Sequence, residues 1–265
     1  MTPLELFGLI CLLGVARVAI SLRPVQIGAG SAALPPLEGD AAASSTEGAS
    51  AEVQPPLSVV IKEYLDAFIV AGLVALFLIT FVVRTFFIPS GSMEPTLQIH
   101  DVLLVNEFEY RLSKPHDEDI VVFTPAIAST NDFIKRLIGS PGENLRIHEG
   151  IVYRDGKPLD EPYIAQRPNY ELEIKNYGIY VDGVALDPAQ ANIPPRDKWQ
   201  APDRIPEGCY FMMGDNRNDS DDSHIWGFAQ TGGTFYAGPQ KGQKAGFTGH
   251  AFLLFWPLDR IRILH

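Results

Sequence analysis

Apolar residues run without a charge from 67 to 83, AFIVAGLVALFLITFVV, and stop at Arg84. Carried back past Asp66 to Tyr64, the run reaches about 20 residues, the length that spans the hydrocarbon of a bilayer. A core helix is the rival reading, but core helices are rarely apolar on every side. The pattern predicts a transmembrane helix over 58–84, with Lys62, Asp66 and Arg84 at its interfaces. A second apolar stretch, residues 4–22, contains Arg17, tolerable near a helix end by snorkelling. It reads as a first helix over 1–22; the rival, a cleaved signal peptide, lacks a basic n-region and has Glu5 instead. Residues 23–57 are rich in Ala, Ser, Gly and Pro without periodicity, and are expected to be a disordered linker. Arg17 and Arg23 bias that linker to the cytoplasm, which puts the rest of the chain on the extracytoplasmic side of the cell membrane.

From residue 85 the pattern changes to short β-branched and aromatic segments bounded by Gly, Pro, Asp or Asn: DVLLVNEF, DIVVF, DFIKRLIG, CYFMMGD and HAFLLFWPL among them. The pairs Asp155-Gly156 and Asp182-Gly183 are hairpin-turn signals. The expected fold is mainly β: one catalytic domain over 85–265 with a β insertion at about 146–206, anchored by one or two N-terminal helices.

Charge changes the picture little. A net charge of −11 argues against a nucleic-acid partner, which needs a basic face. The two cysteines, Cys11 and Cys209, provide no metal-binding pair, and a disulfide between them is not expected. The six histidines have no ligand spacing, so neither a metal nor another cofactor is expected.

Three segments carry candidate chemistry. IPSGSMEPTL, residues 88–97, places Ser90 and Ser92 on an elbow between Pro89 and Pro95. The prolines fix φ, and Gly91 allows close backbone approach. In NDFIKRLIG, Lys135 interrupts an otherwise buried strand. Strand alternation puts Phe133, Lys135 and Leu137 on one face and Ile134, Arg136 and Ile138 on the other. Desolvation would lower the lysine pKa and free its amine to accept a proton, unless it snorkels to the rim or pairs with a carboxylate. The third segment, GDNRNDSDDSHIWG, residues 214–227, reads as a self-bonded loop. Calcium fits it poorly, because the EF-hand positions six and twelve hold Ser220 and Trp226. A Ser-His-Asp arrangement through His224 stays open from the residues alone.

In this order these blocks, with DEDIVVF before the lysine strand and HAFLLFWPLDRIRIL at the end, resemble the type I signal peptidases, membrane-anchored Ser-Lys proteases. The resemblance implies an endopeptidase that cleaves signal peptides from preproteins emerging at the bilayer, after small residues (A-x-A). It implies Ser92 as nucleophile and Lys135 as general base. The Ser90 hydroxyl and the Ser92 backbone N–H would form the oxyanion hole, with Ser220 hydrogen-bonding the lysine amine. Arg136, Asp215 and Asp222 would support the loop. Phe86, Ile88, Met93, Leu97, Phe133 and Ile134 would line the substrate sites. The chain departs from the family's pattern at His224, where arginine is usual, at Asn218-Asp219, and in a Gly-rich stretch over 227–249. A silent binding protein on the same fold and a protease with one dedicated substrate are the alternatives.

Overall fold

The computed structural model describes residues 57–264 apart from 82, 128 and 130; the expected first helix and nearly all of the linker lie outside the described residues. The chain divides into two compact units, with the boundary between Thr80 and Phe81. Helix α1, Leu57–Phe81, 25 residues, lies in the first apart from its last residue. Its Leu57, Phe68, Val70 and Val74 side chains are all more than half exposed. Among the described residues, which include Lys62, Glu63 and Asp66 of this helix, no helix is long and apolar enough to cross a membrane.

The second unit is built from two antiparallel sheets. The larger contains β1 (Val83–Phe87), β2 (Val102–Asn106), β3 (Ile120–Phe123), β4 (Phe133–Gly139), β11 (Cys209–Met213), β12 (Ala229–Gln230), β13 (Phe247–Trp256) and β14 (Arg262–Ile263). Its order is β1-β2-β13-β3-β4-β11-β12, with β14 also on β13. Between β4 and β11 the chain forms the second sheet from β5 (Leu145–His148), β6 (Ile151–Arg154), β7 (Lys157–Pro158), β8 (Leu172–Lys175), β9 (Gly178–Val181) and β10 (Val184–Ala185). Its order is β10-β9-β8-β5-β6-β7. The two Asp-Gly pairs close its β6–β7 and β9–β10 hairpins. All four of these residues have φ between 48° and 80°, the positive values that a two-residue hairpin turn of this kind requires.

The alternation read along 133–138 is visible in the packing. Leu137 and Phe133 join the cluster around Phe123 and Trp226. On the other face Ile134 packs against the Ile88, Met93 and Leu97 cluster, while Ile138 joins the core of the second sheet. Because apolar groups cover both faces, the polar residues of β4 are buried with the rest: Lys135 is 4% exposed and Arg136 2%. Asp101 fixes the turn that leads from the serine elbow into β2. It accepts from the Gln98 N–H at 2.7 Å and from the Arg260 guanidinium at 3.0 and 2.9 Å.

Candidate active site

Ser92 lies in a single 3₁₀ turn, Gly91–Met93, entered through Ser90 in extended conformation (φ −138°, ψ 159°). The elbow is pinned at both ends. The Ile88 N–H donates to the Asp101 carbonyl at 2.9 Å, and the Leu97 N–H to the Met93 carbonyl at 2.9 Å. Met93 and Leu97 are buried, so apolar packing holds the turn while its serines stay on the open side.

Lys135 reaches this turn from β4, its Nζ 2.7 Å from Ser92 Oγ. Burial lowers the lysine pKa to about 8; the carboxylates of Asp222, Asp221 and Asp215 pull the other way. A protonated amine there has lost most of its water, so the neutral form gains. Phe133 faces the same amine, with its ring centroid 5.5 Å from Nζ. Ser90 Oγ lies 3.5 Å from Ser92 Oγ and is exposed. A cleft of about 870 Å³ opens over this pair, lined by Phe86, Ile88, Met93, Phe133 and Ile134 on its apolar side. Leu97 does not reach the cleft; it is fully buried in the cluster beneath the elbow.

The 214–224 loop closes the other side. Asp215 is fully buried and binds Arg136 through both oxygens, at 2.9 and 2.7 Å, while Thr96 Oγ1 donates to it at 2.5 Å. Asp222 accepts from the Gly214 N–H at 3.2 Å and caps the short helix α3, Ser223–Trp226; another such helix, α2, covers Glu109–Leu112. Ser220 lines the cleft beside Lys135, but its hydroxyl is buried without a hydrogen-bond partner instead of bonding the amine. Gly214 lies beside it, with no room for a side chain: an added Cβ would sit 2.2 Å from Ser220 Oγ and 2.4 Å from the Ser92 carbonyl oxygen. His224, at the family's arginine position, bonds Asp222 through Nδ1 and stacks on Tyr170 with ring centroids 4.4 Å apart. It does not line the cleft, so it does not form a Ser-His-Asp arrangement there.

Several contributors were not singled out in the sequence. Asn216 donates its N–H to the Ser92 carbonyl and its Nδ2 to the Gly91 carbonyl, both at 3.1 Å. Asp219 and Asp221 flank Ser220 at the cleft, and Arg217 is completely buried against Glu161. A buried arginine in a run of turn-forming polar residues has no local signal, because its partner is 56 positions away.

A buried amine in contact with a serine hydroxyl, beside further hydroxyl and N–H donors, can transfer a proton and support acyl transfer. Residues 61–234 match the family model described as signal peptidase, peptidase S26. The probable signal peptidase I-2 of Synechocystis sp. is 38% identical over 74% of this chain and 73% of its own length. The signal peptidase I of Pseudomonas aeruginosa is 32% identical over 70% and 72% respectively. A crystal structure of a signal peptidase I from Enterococcus faecalis V583 is 32% identical, covering 44% of this chain and 91% of that one, with a TM-score of 0.31. The chain therefore belongs to the signal peptidase family, peptidase S26.

Proposed function

We propose that this chain is a membrane-anchored serine endopeptidase that removes signal peptides from preproteins after small residues, through an acyl-enzyme formed on Ser92. The observation that carries the reading is the 2.7 Å contact between Ser92 Oγ and the buried Lys135 amine. With a pKa of about 8, roughly one lysine in ten is neutral at pH 7, against fewer than one in a thousand at the ordinary value. The neutral amine takes the hydroxyl proton as Oγ attacks the scissile carbonyl, then delivers it to the departing amine. A water, activated by the same amine, hydrolyses the ester. The Ser90 hydroxyl and the Ser92 N–H serve as donors to the developing oxyanion, where a single donor is worth ~10²–10³ in rate.

The signal peptide lies extended between the end of β1 and the start of β4, since Phe86, Ile88, Phe133 and Ile134 line one cleft. β1 is the edge strand of its sheet and can accept one more strand, with alternate side chains directed into the cleft. Bulky apolar side chains around that space favour small ones from the substrate, which is the A-x-A preference.

Two features support the bilayer as a partner. The whole of α1 is too polar to cross a membrane, but the uncharged run from 67 to 83 would extend about 26 Å as a helix, close to a hydrocarbon core of ~30 Å. Ser92 follows nine residues later, where a preprotein emerges beyond its own apolar segment.

Ser92→Ala and Lys135→Met variants of the full chain, assayed with a preprotein carrying an A-x-A site, test the reading. Each is expected to lose at least ~10³-fold in kcat. Unchanged processing by either would overturn it.

A further inference from the structure

The geometry points to Glu161, on the 159–171 connection between β7 and β8, as a positioning residue for the cleavage reaction, acting through Arg217 on the loop that seats Ser92. This rests on the Ser92 chemistry above. The Glu161 and Arg217 side chains are 6% and 0% exposed. Arg217 Nη1 donates to Glu161 Oε2 at 3.0 Å, and Nη2 donates to Oε1 at 2.5 Å. Such a fork fixes the plane of the guanidinium as well as its place. The third donor, Nε, then meets the Gly214 carbonyl at 3.1 Å.

Gly214 is the tightest point behind the nucleophile. It lies against the Ser92 carbonyl so closely that no Cβ fits, and two residues later Asn216 bonds the carbonyls of both Gly91 and Ser92. A shift of the Gly214 peptide is therefore passed to the backbone that carries Oγ. The same short segment also touches the lysine strand. The Tyr163 ring is 3.9 Å from the Arg136 Cζ and 6.0 Å from that of Arg217, and its hydroxyl donates to Glu161 at 3.3 Å. Arg136 is the neighbour of Lys135 on β4. One turn of the second sheet thus braces both partners of the 2.7 Å contact without lining the cleft.

A role confined to folding and a role in positioning separate by experiment. Replacing both members by methionine, Glu161→Met with Arg217→Met, leaves no unpaired buried charge, and such exchanges are often neutral for stability. It removes the donor to the Gly214 carbonyl all the same. In the full chain, the double variant is expected to melt within a few degrees of the parent. Its kcat per folded molecule should fall about 10- to 100-fold, with KM within about threefold, since misplacement on the order of 1 Å can cost ~10²-fold. Glu161→Gln, which keeps size and one acceptor, is expected to lose less, and its loss should vanish in an Arg217→Met background. A kcat per folded molecule within twofold of the parent in either folded variant overturns the proposal. So does failure of both to fold, which would assign the pair to folding alone. If Ser92→Ala also retained activity, the Ser92 reading would fail first; if it is inactive while the double variant is unimpaired, only the role of Glu161 falls.

Discussion

At the scale of single residues the outcome turns on one lysine. Its pKa near 8 in the folded chain, against 10.5 in the open, has two consequences of opposite benefit. The proposed mechanism needs the neutral amine, so kcat/KM is expected to rise about tenfold per pH unit on the acid side and level off above about 8. Stability follows the other rule. Between pH 8 and 10.5 the unfolded chain binds more protons at this site than the folded one, so stability rises with pH across that window. Below it the cost of a buried ammonium is present in full, on the order of 3 kcal/mol. Lys135→Met should therefore be inactive yet melt higher than the parent at pH 7, and the gap should close above pH 10.5. A variant that melts lower at pH 7 would show that the nearby carboxylates depend on the ammonium more than burial penalises it.

At the scale of elements, the segments of the candidate site stood out because each has a local signature, while the roles proposed for their residues came from the resemblance to the family. A lysine inside the apolar β4, two serines between prolines and a turn-rich loop can all be read from neighbours in sequence. The alternation along β4 also assigned faces that the packing reproduces. What depended on distant partners was not legible. Leu97 reads as a cleft residue beside Met93, but it points into the core, and nothing local distinguishes the two. The resemblance made Ser220 a partner of the amine, whereas its hydroxyl is buried without a hydrogen-bond partner. Gly214 itself gives a prediction for the loop. A methyl group there would meet the Ser220 hydroxyl at 2.2 Å and the Ser92 carbonyl, which is backbone and cannot swing aside, at 2.4 Å. Gly214→Ala should cost roughly 1–3 kcal/mol of stability by overpacking. It should also lower kcat by tenfold or more, because the relief comes from moving Ser92. Thermal melts beside steady-state kinetics check both.

At the scale of the whole molecule, the proposed membrane contact of a chain with a net charge of −11 leans on apolar surface rather than on attraction to anionic lipid. The β unit has such a surface next to its cleft. Phe87 at the end of β1 is 55% exposed, Trp256 at the end of β13 49%, and Leu258 just beyond 68%. They are not scattered: Phe87 pairs with Val102 on β2, and Val102 pairs with Trp256. Ile263, 65% exposed, lies on β14, which pairs with β13. A row of this kind across neighbouring strands is unusual on a surface that meets only water. Phe87 also lines the cleft, so a lipid surface under this row would hold the cleft where an embedded signal peptide surfaces. Trp256→Ser combined with Leu258→Ser leaves Ser92 and Lys135 untouched. It is expected to slow processing of a preprotein reconstituted in proteoliposomes roughly tenfold, the effect of losing about 1.4 kcal/mol of partly buried apolar area. Cleavage of a short soluble A-x-A peptide should stay within about twofold. Equal loss on both substrates would mean that the row supports the β domain rather than a bilayer contact, and no loss on either would mean that the row does not contact the bilayer.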